Sequence, residues 1–253
     1  MRRILFLLLL NIPLAFASAV RLSDEQALAI GRRIWKNECA GTVSGLTSWN
    51  KGEEFPSLGI GHFIWYPAGK RGPFEESFPG LVKFLAANGT DVPAWTQGPC
   101  PWATRSAFLA DIDGPRLGEL RRILAATVAL QARYAAMRLE NALPRMLAAA
   151  PPAERSRIEE NFQRVASQPL GFYALMDYVN FKGEGVNPSE RYKGAGWGLL
   201  QVLEAMPDSG NPLAGFAAAA DDVLTRRVRN SPPERNESKW LAGWRNRIQT
   251  YAN

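Results

Sequence analysis

The sequence predicts a single α+β domain, predominantly α-helical, with one small β-hairpin lobe. Three observations lead there. Apolar residues recur at helical spacing through most of the chain after residue 75. The stretch 41–74 instead concentrates glycine with Trp49, Phe55, Phe63, Trp65 and Tyr66, and within it Leu58, Ile60 and His62 alternate with Gly59, Gly61 and Phe63. Proline and glycine clusters at 67–73, 151–152, 207–212 and 231–233 punctuate the helical segments. At 253 residues, with 46% hydrophobic and 21% charged content, the composition is that of an ordinary globular chain able to bury a good core.

Residues 1–19 combine Arg2 and Arg3, an apolar stretch over 4–16 interrupted by Pro13, and the small residues Ala17, Ser18 and Ala19. This order reads as a secretory signal cleaved after Ala19, leaving one domain over 20–253 that is periplasmic or secreted. The apolar stretch falls short of the roughly 20 residues that span a bilayer, so no stable membrane insertion is expected after cleavage. In the first mature helix, 24–38, Ser23 and Gln26 form a capping box, and Ala27, Ile30, Ile34 and Glu38 follow on one face. The hairpin lobe occupies about 41–74. Further helices are predicted near 75–87, 104–111, 115–149, 153–167, 169–181, 196–206, 212–229 and 237–251.

The net charge is +6, and outside the signal the excess gathers at Arg226, Arg227, Arg229, Arg245 and Arg247. A basic exported protein is drawn to anionic polymers such as the bacterial wall. Export and the lack of a nucleic-acid motif argue against nucleic acid as partner. Cys39 and Cys100, an even pair bound for an oxidising compartment, are expected to form a disulfide. Such a bridge would contribute about 4 kcal/mol in the chain-entropy model and pin the backbone beside Glu38. With one histidine, His62, and no paired-cysteine spacing, neither a metal nor a cofactor is expected.

Glu38 is the most informative position. It continues the apolar stripe of Ile30 and Ile34 and falls at a helix C-terminus, where the dipole disfavours a carboxylate. A partly desolvated carboxyl that keeps its proton is what a glycosidase needs to protonate a leaving glycosidic oxygen.

The segment Ser57-Leu58-Gly59-Ile60-Gly61-His62 that follows resembles the Thr-Ile-Gly-Ile-Gly-His hairpin behind the catalytic glutamate of phage-type lysozymes. The resemblance covers about residues 24–66 and implies a lysozyme-like fold. It makes Glu38 the general acid, Ser57 a hydroxyl that positions water or sugar, and His62 a structural hydrogen-bonder on the cleft wall. Glycine at 59 and 61 would let a sugar approach the backbone. The chain departs from that family before the hairpin, where Asn50 and Lys51 stand in place of an aspartate and Glu53 and Glu54 follow. One of those glutamates is expected to face the cleft, since strand alternation points them apart. Without either, Glu38 alone would perform lytic transglycosylase chemistry.

A second segment, Glu184-Gly185-Val186-Asn187-Pro188 followed by Gly198-Leu199-Leu200-Gln201, resembles the catalytic segment of soluble lytic transglycosylases and makes Glu184 the alternative acid. Under the Glu38 assignment, Asn180, Lys182, Glu190, Arg191, Tyr192, Trp197 and Gln201 would line the opposite wall and bind N-acetyl sugars or stem-peptide carboxylates. Both resemblances imply cleavage of peptidoglycan glycan strands. A non-catalytic glycan-binding or scaffold protein is the competing expectation, and the missing aspartate is its main support.

Overall fold

The computed structural model describes residues 22–72, 74–188 and 190–252; the expected signal segment, 1–19, lies outside them. Helix α1 (Asp24–Cys39) starts on the expected capping box, in which the Gln26 amide donates to Ser23 Oγ at 3.1 Å and the Ser23 amide to Gln26 Oε1 at 2.9 Å. Its Ala27, Ile30 and Ile34 stripe is buried.

The lobe is a three-stranded antiparallel sheet of short strands, β1 (Thr47–Ser48), β2 (Ser57–Leu58) and β3 (Phe63–Ile64), in the order β1-β2-β3. Leu58 pairs with both Thr47 and Phe63. The alternation over 58–63 is not a continuous strand. Gly59, at φ +72°, and His62, at φ +48°, turn the chain between β2 and β3. Ile60 stays buried in that turn because Gln131 Oε1 accepts its amide hydrogen bond at 3.0 Å.

The helical body comprises α2 (Phe78–Ala87), α3 (Arg105–Ala110), α4 (Pro115–Ala126), α5 (Val128–Ala149), α6 (Arg155–Ala166) and α7 (Gly171–Lys182). The single helix predicted over 115–149 breaks at Thr127, whose φ and ψ of −112° and 23° leave the helical range. Its hydroxyl donates to the Ile123 carbonyl at 2.8 Å, finishing α4. The new direction lets α5 lie against α1 at Gly31, where a Cβ would come within 2.7 Å of Val128 Cγ1.

After α7 come β4 (Arg191–Tyr192) and β5 (Ala195–Gly196), an antiparallel hairpin that the apolar pattern did not predict. Its turn residues Lys193 and Gly194 have φ of +49° and +79°, the pair of positive angles of a type I′ turn. The chain ends in α8 (Leu199–Ala205), α9 (Pro212–Asn230) and α10 (Ser238–Gln249). The result is a mixed α+β, predominantly helical fold with two small antiparallel sheets. No helix among the described residues is long and apolar enough to cross a membrane.

The expected disulfide is not formed: Cys39 and Cys100 are free and buried. Each thiol is occupied in its own part of the core. Cys39 Sγ lies 3.7 Å from the Gly59 carbonyl oxygen, whereas Cys100 Sγ lies 3.6 Å from that of Trp102, in an aromatic cluster with Trp65 and Trp95. Burial pushes the two thiols up to about 12 and about 11, so each is held as a protonated apolar group.

Candidate functional site

The last turn of α1 carries Glu38 to a junction of three elements. Its side chain is 13% exposed, with Oε2 3.4 Å from His62 Nδ1 in the β2–β3 turn. The other oxygen, Oε1, accepts from Arg247 Nη2 on α10. The guanidinium supplies the positive charge that the end of a helix denies to a carboxylate.

Arg247 is itself immobilised. Its Nε and Nη2 donate to the two oxygens of Asp177 at 2.7 and 2.8 Å, and its guanidinium lies 4.5 Å from the centre of the Phe181 ring. Asp177 is fully buried and also accepts from Tyr251 Oη at 2.7 Å and Asn37 Nδ2 at 3.2 Å. Burial alone would lower the Arg247 pKa, but the Asp177 hydrogen bonds and the charges of Asp177 and Glu38 outweigh it and hold the guanidinium above its ordinary value. Sequence reasoning missed this clamp. Its signal was an aspartate inside α7, where Gly171 through Tyr178 are all buried, because such an acid demands a cation.

The hairpin residues separate by role. Ser57 is buried in β2, and its carbonyl accepts from Ser48 Oγ at 3.4 Å. Glu54 faces solvent and pairs with Lys70 at 2.9 Å. Glu53 turns inward, and its Oε2 is enclosed with no hydrogen-bond partner. The two glutamates differ in exposure, but they lie in the loop between β1 and β2, so strand alternation is not the cause. The glycines have a packing role. A Cβ on Gly59 would lie 2.4 Å from Gln131 Oε1, and one on Gly61 2.9 Å from the Phe63 ring, so interior packing requires them.

Glu184 has different partners. It accepts from Arg145 Nη2 on α5 at 2.6 Å, while the hairpin turn meets the same helix at Gln131, roughly 20 Å away along the helix axis. Glu184 and Glu190 share a cavity of about 410 Å³ with Glu75 and Arg145. Asn180, exposed at the end of α7, borders Glu184 on the neighbouring surface.

Of the remaining predicted wall residues, Lys182, Tyr192 and Trp197 gather in a separate cluster. Tyr192 Oη donates to Glu237 at 2.9 Å, and the Tyr192 and Trp197 rings lie 4.5 Å apart. Arg227 stacks 4.1 Å from the centre of the Trp197 ring and donates to Glu237 at 2.8 and 2.9 Å. The Lys182 ammonium lies 3.5 Å from the centre of the Trp244 ring. Arg191 is exposed, with Nη1 3.4 Å from the Gly194 carbonyl oxygen. Gln201 is used inside the fold, accepting from the Gly198 amide at 3.0 Å and donating to the Gly185 carbonyl at 3.2 Å.

The structure thus joins Glu38 to His62 and places Asn180 and Glu190 in two separate cavities that both border Glu184. Among the described residues, no group of three or more His, Cys, Asp or Glu side chains is placed to hold a metal ion. Comparison of the chain with protein-family models, with curated proteins and with solved structures finds no match.

Proposed function

We propose that this protein cleaves the glycan strands of peptidoglycan, with Glu38 as the acid that protonates the bridging oxygen between MurNAc and GlcNAc. The observation that carries this reading is the placement of Glu38: a nearly enclosed carboxyl between the hairpin histidine and an arginine fixed by Asp177. Arg247 orients one oxygen, and Oε2 is the one that addresses the glycosidic bond. The lysozyme-like resemblance of residues 24–66 and the signal-like segment 1–19 support the same reading, since export would bring the chain to its substrate.

Two chemical routes are open to such a site. After proton donation, the Glu38 carboxylate can remove the muramoyl hydroxyl proton and leave an anhydro product, which needs no second acid. Hydrolysis needs a second carboxylate within roughly 5–9.5 Å, and Glu53, turned inward with one oxygen unpartnered, is the candidate. Glu184, paired with Arg145, lines a cavity of its own and is not the acid in this scheme.

One observation favours a glycan-binding protein without catalysis. Both Glu38 oxygens already face basic side chains, as in a structural ion pair. Mass spectrometry of the soluble products from purified peptidoglycan separates the readings. The wild-type protein and Glu184→Gln are expected to release anhydro or reducing-end muropeptides, and Glu38→Gln none. No product from any form, with retained pelleting on the glycan, overturns the enzyme and leaves the binding protein.

A further inference from the structure

The order Cys39, His62, Glu38 has the layout of a nucleophile, a base and an orienting acid: Sγ lies 3.8 Å from His62 Nε2, and Nδ1 lies 3.4 Å from Glu38 Oε2. The thiol cannot be the nucleophile. It is 4% exposed, and burial, followed by the charge of Glu38, pushes it up to about 12. The chemistry of the line therefore lies at its other end, between imidazole and carboxylate.

His62 is built into this position at a backbone cost. Its φ of +48° is unusual for a residue with a side chain, and such angles persist where the surroundings over-determine them. Cys39 lies against one ring nitrogen and Glu38 against the other, yet the side chain remains 30% exposed. The imidazole thus touches both the carboxylate and solvent. Among the described residues, the charged or titratable groups that face Glu38 include His62 from the turn, Arg247 from α10 with Asp177 of α7 behind it, and Cys39 from α1.

We propose that His62 resupplies the proton of Glu38, acting through it as a positioning and relay residue. This rests on the reading of Glu38 as the glycosidase acid and applies to the hydrolytic route in which Glu53 takes the proton of the attacking water; on the anhydro route the muramoyl hydroxyl itself returns the proton to Glu38. The imidazolium gives its Nδ1 proton to Oε2, leaving a neutral imidazole that keeps Nε2–H and a Glu38 carboxylic acid with Arg247 on its other oxygen. After Glu38 protonates the glycosidic oxygen and returns to carboxylate, the exposed imidazole takes a new proton from water or a buffer acid. Charge and protons balance in each step, and no other bond changes.

The test uses His62→Gly, which relieves the positive φ and leaves a hole open to solvent. Product release is expected to fall about 100-fold, with kcat rather than KM affected, and to recover in proportion to added imidazole. Anhydro products, unchanged turnover, or a loss that imidazole does not restore in a protein of wild-type thermal stability, overturns the relay. Because the chain has one histidine, ¹⁵N NMR of tag-free protein reads the pair directly. A proton shared between Nδ1 and Glu38 in the wild type, and lost in Glu38→Gln, supports it. An imidazole spectrum that Glu38→Gln leaves unchanged overturns it whether or not peptidoglycan is cleaved. Absence of cleavage by the wild type is instead a failure of the glycosidase reading, which the NMR result distinguishes.

Discussion

Arg247 and Asp177 form a two-pronged ion pair, 2.7 and 2.8 Å long, that fastens α10 to the buried face of α7. Since Arg247 also holds Glu38, the pair couples the stability of the fold to the geometry of the site. Arg247→Met would leave the Asp177 carboxylate buried without its cation. Denaturant unfolding should show a loss of about 3–5 kcal/mol. A loss below about 1 kcal/mol would mean that the clamp contributes little.

Gly59→Ala tests the hairpin anchor. The added Cβ meets Gln131 Oε1 at 2.4 Å and imposes a side chain on a φ of +72°. The expected cost is about 2 kcal/mol, read as a lower urea midpoint at unchanged slope. An unchanged midpoint would show that the Gln131–Ile60 contact adapts freely.

Lys182 should make stability depend on pH. Burial first, then Arg227 and Arg247, against the opposing pull of Glu237, lower it from 10.5 to about 7. Between those values the folded chain binds fewer protons at this site than the unfolded chain, so this contribution makes wild-type stability rise with pH. Lys182→Met is expected to be more stable than wild type at pH 6 by about 1–4 kcal/mol, with the gain shrinking towards pH 10. Unfolding free energies at several pH values check this; a gain that grows with pH contradicts it.

Cys39 and Cys100 should both remain titratable thiols. Thiol-reactive labelling is expected to be slow in the native protein, because burial raises both groups, and complete for both after denaturation. Reductant should leave the thermal midpoint unchanged. A bridged tryptic peptide would refute the free-thiol arrangement.

Glu184→Gln removes the ion pair with Arg145, whose side chain is 52% exposed. Water screens that pair, so the variant should lose less than about 1 kcal/mol. Under the proposed function, glycan cleavage should persist in it. Loss of cleavage with intact folding would transfer the acid role from Glu38 to Glu184.

Helical segments were legible because an apolar face repeats locally: the capping box of Ser23 and the stripe through Ile30 and Ile34 led to α1. The same periodicity ran through Thr127 without marking the break, since the change of direction depends on α1 packing at Gly31. The β4–β5 hairpin escaped because its short strands offer no alternation, only the Lys193-Gly194 turn. An even cysteine count suggested a bridge, but Cys39 settled beside Gly59 and Cys100 beside Trp102.

By itself the sequence determined the order of helices, the position of the small lobe and the location of Glu38 at the end of an apolar stripe, since all three follow from neighbours a few residues apart. The tertiary structure alone decided what Glu38 meets. Arg247 lies 209 residues further along the chain, and Asp177 belongs to a third element. Burying a carboxylate creates the demand for a cation, but only the packing of distant helices selects which arginine answers it.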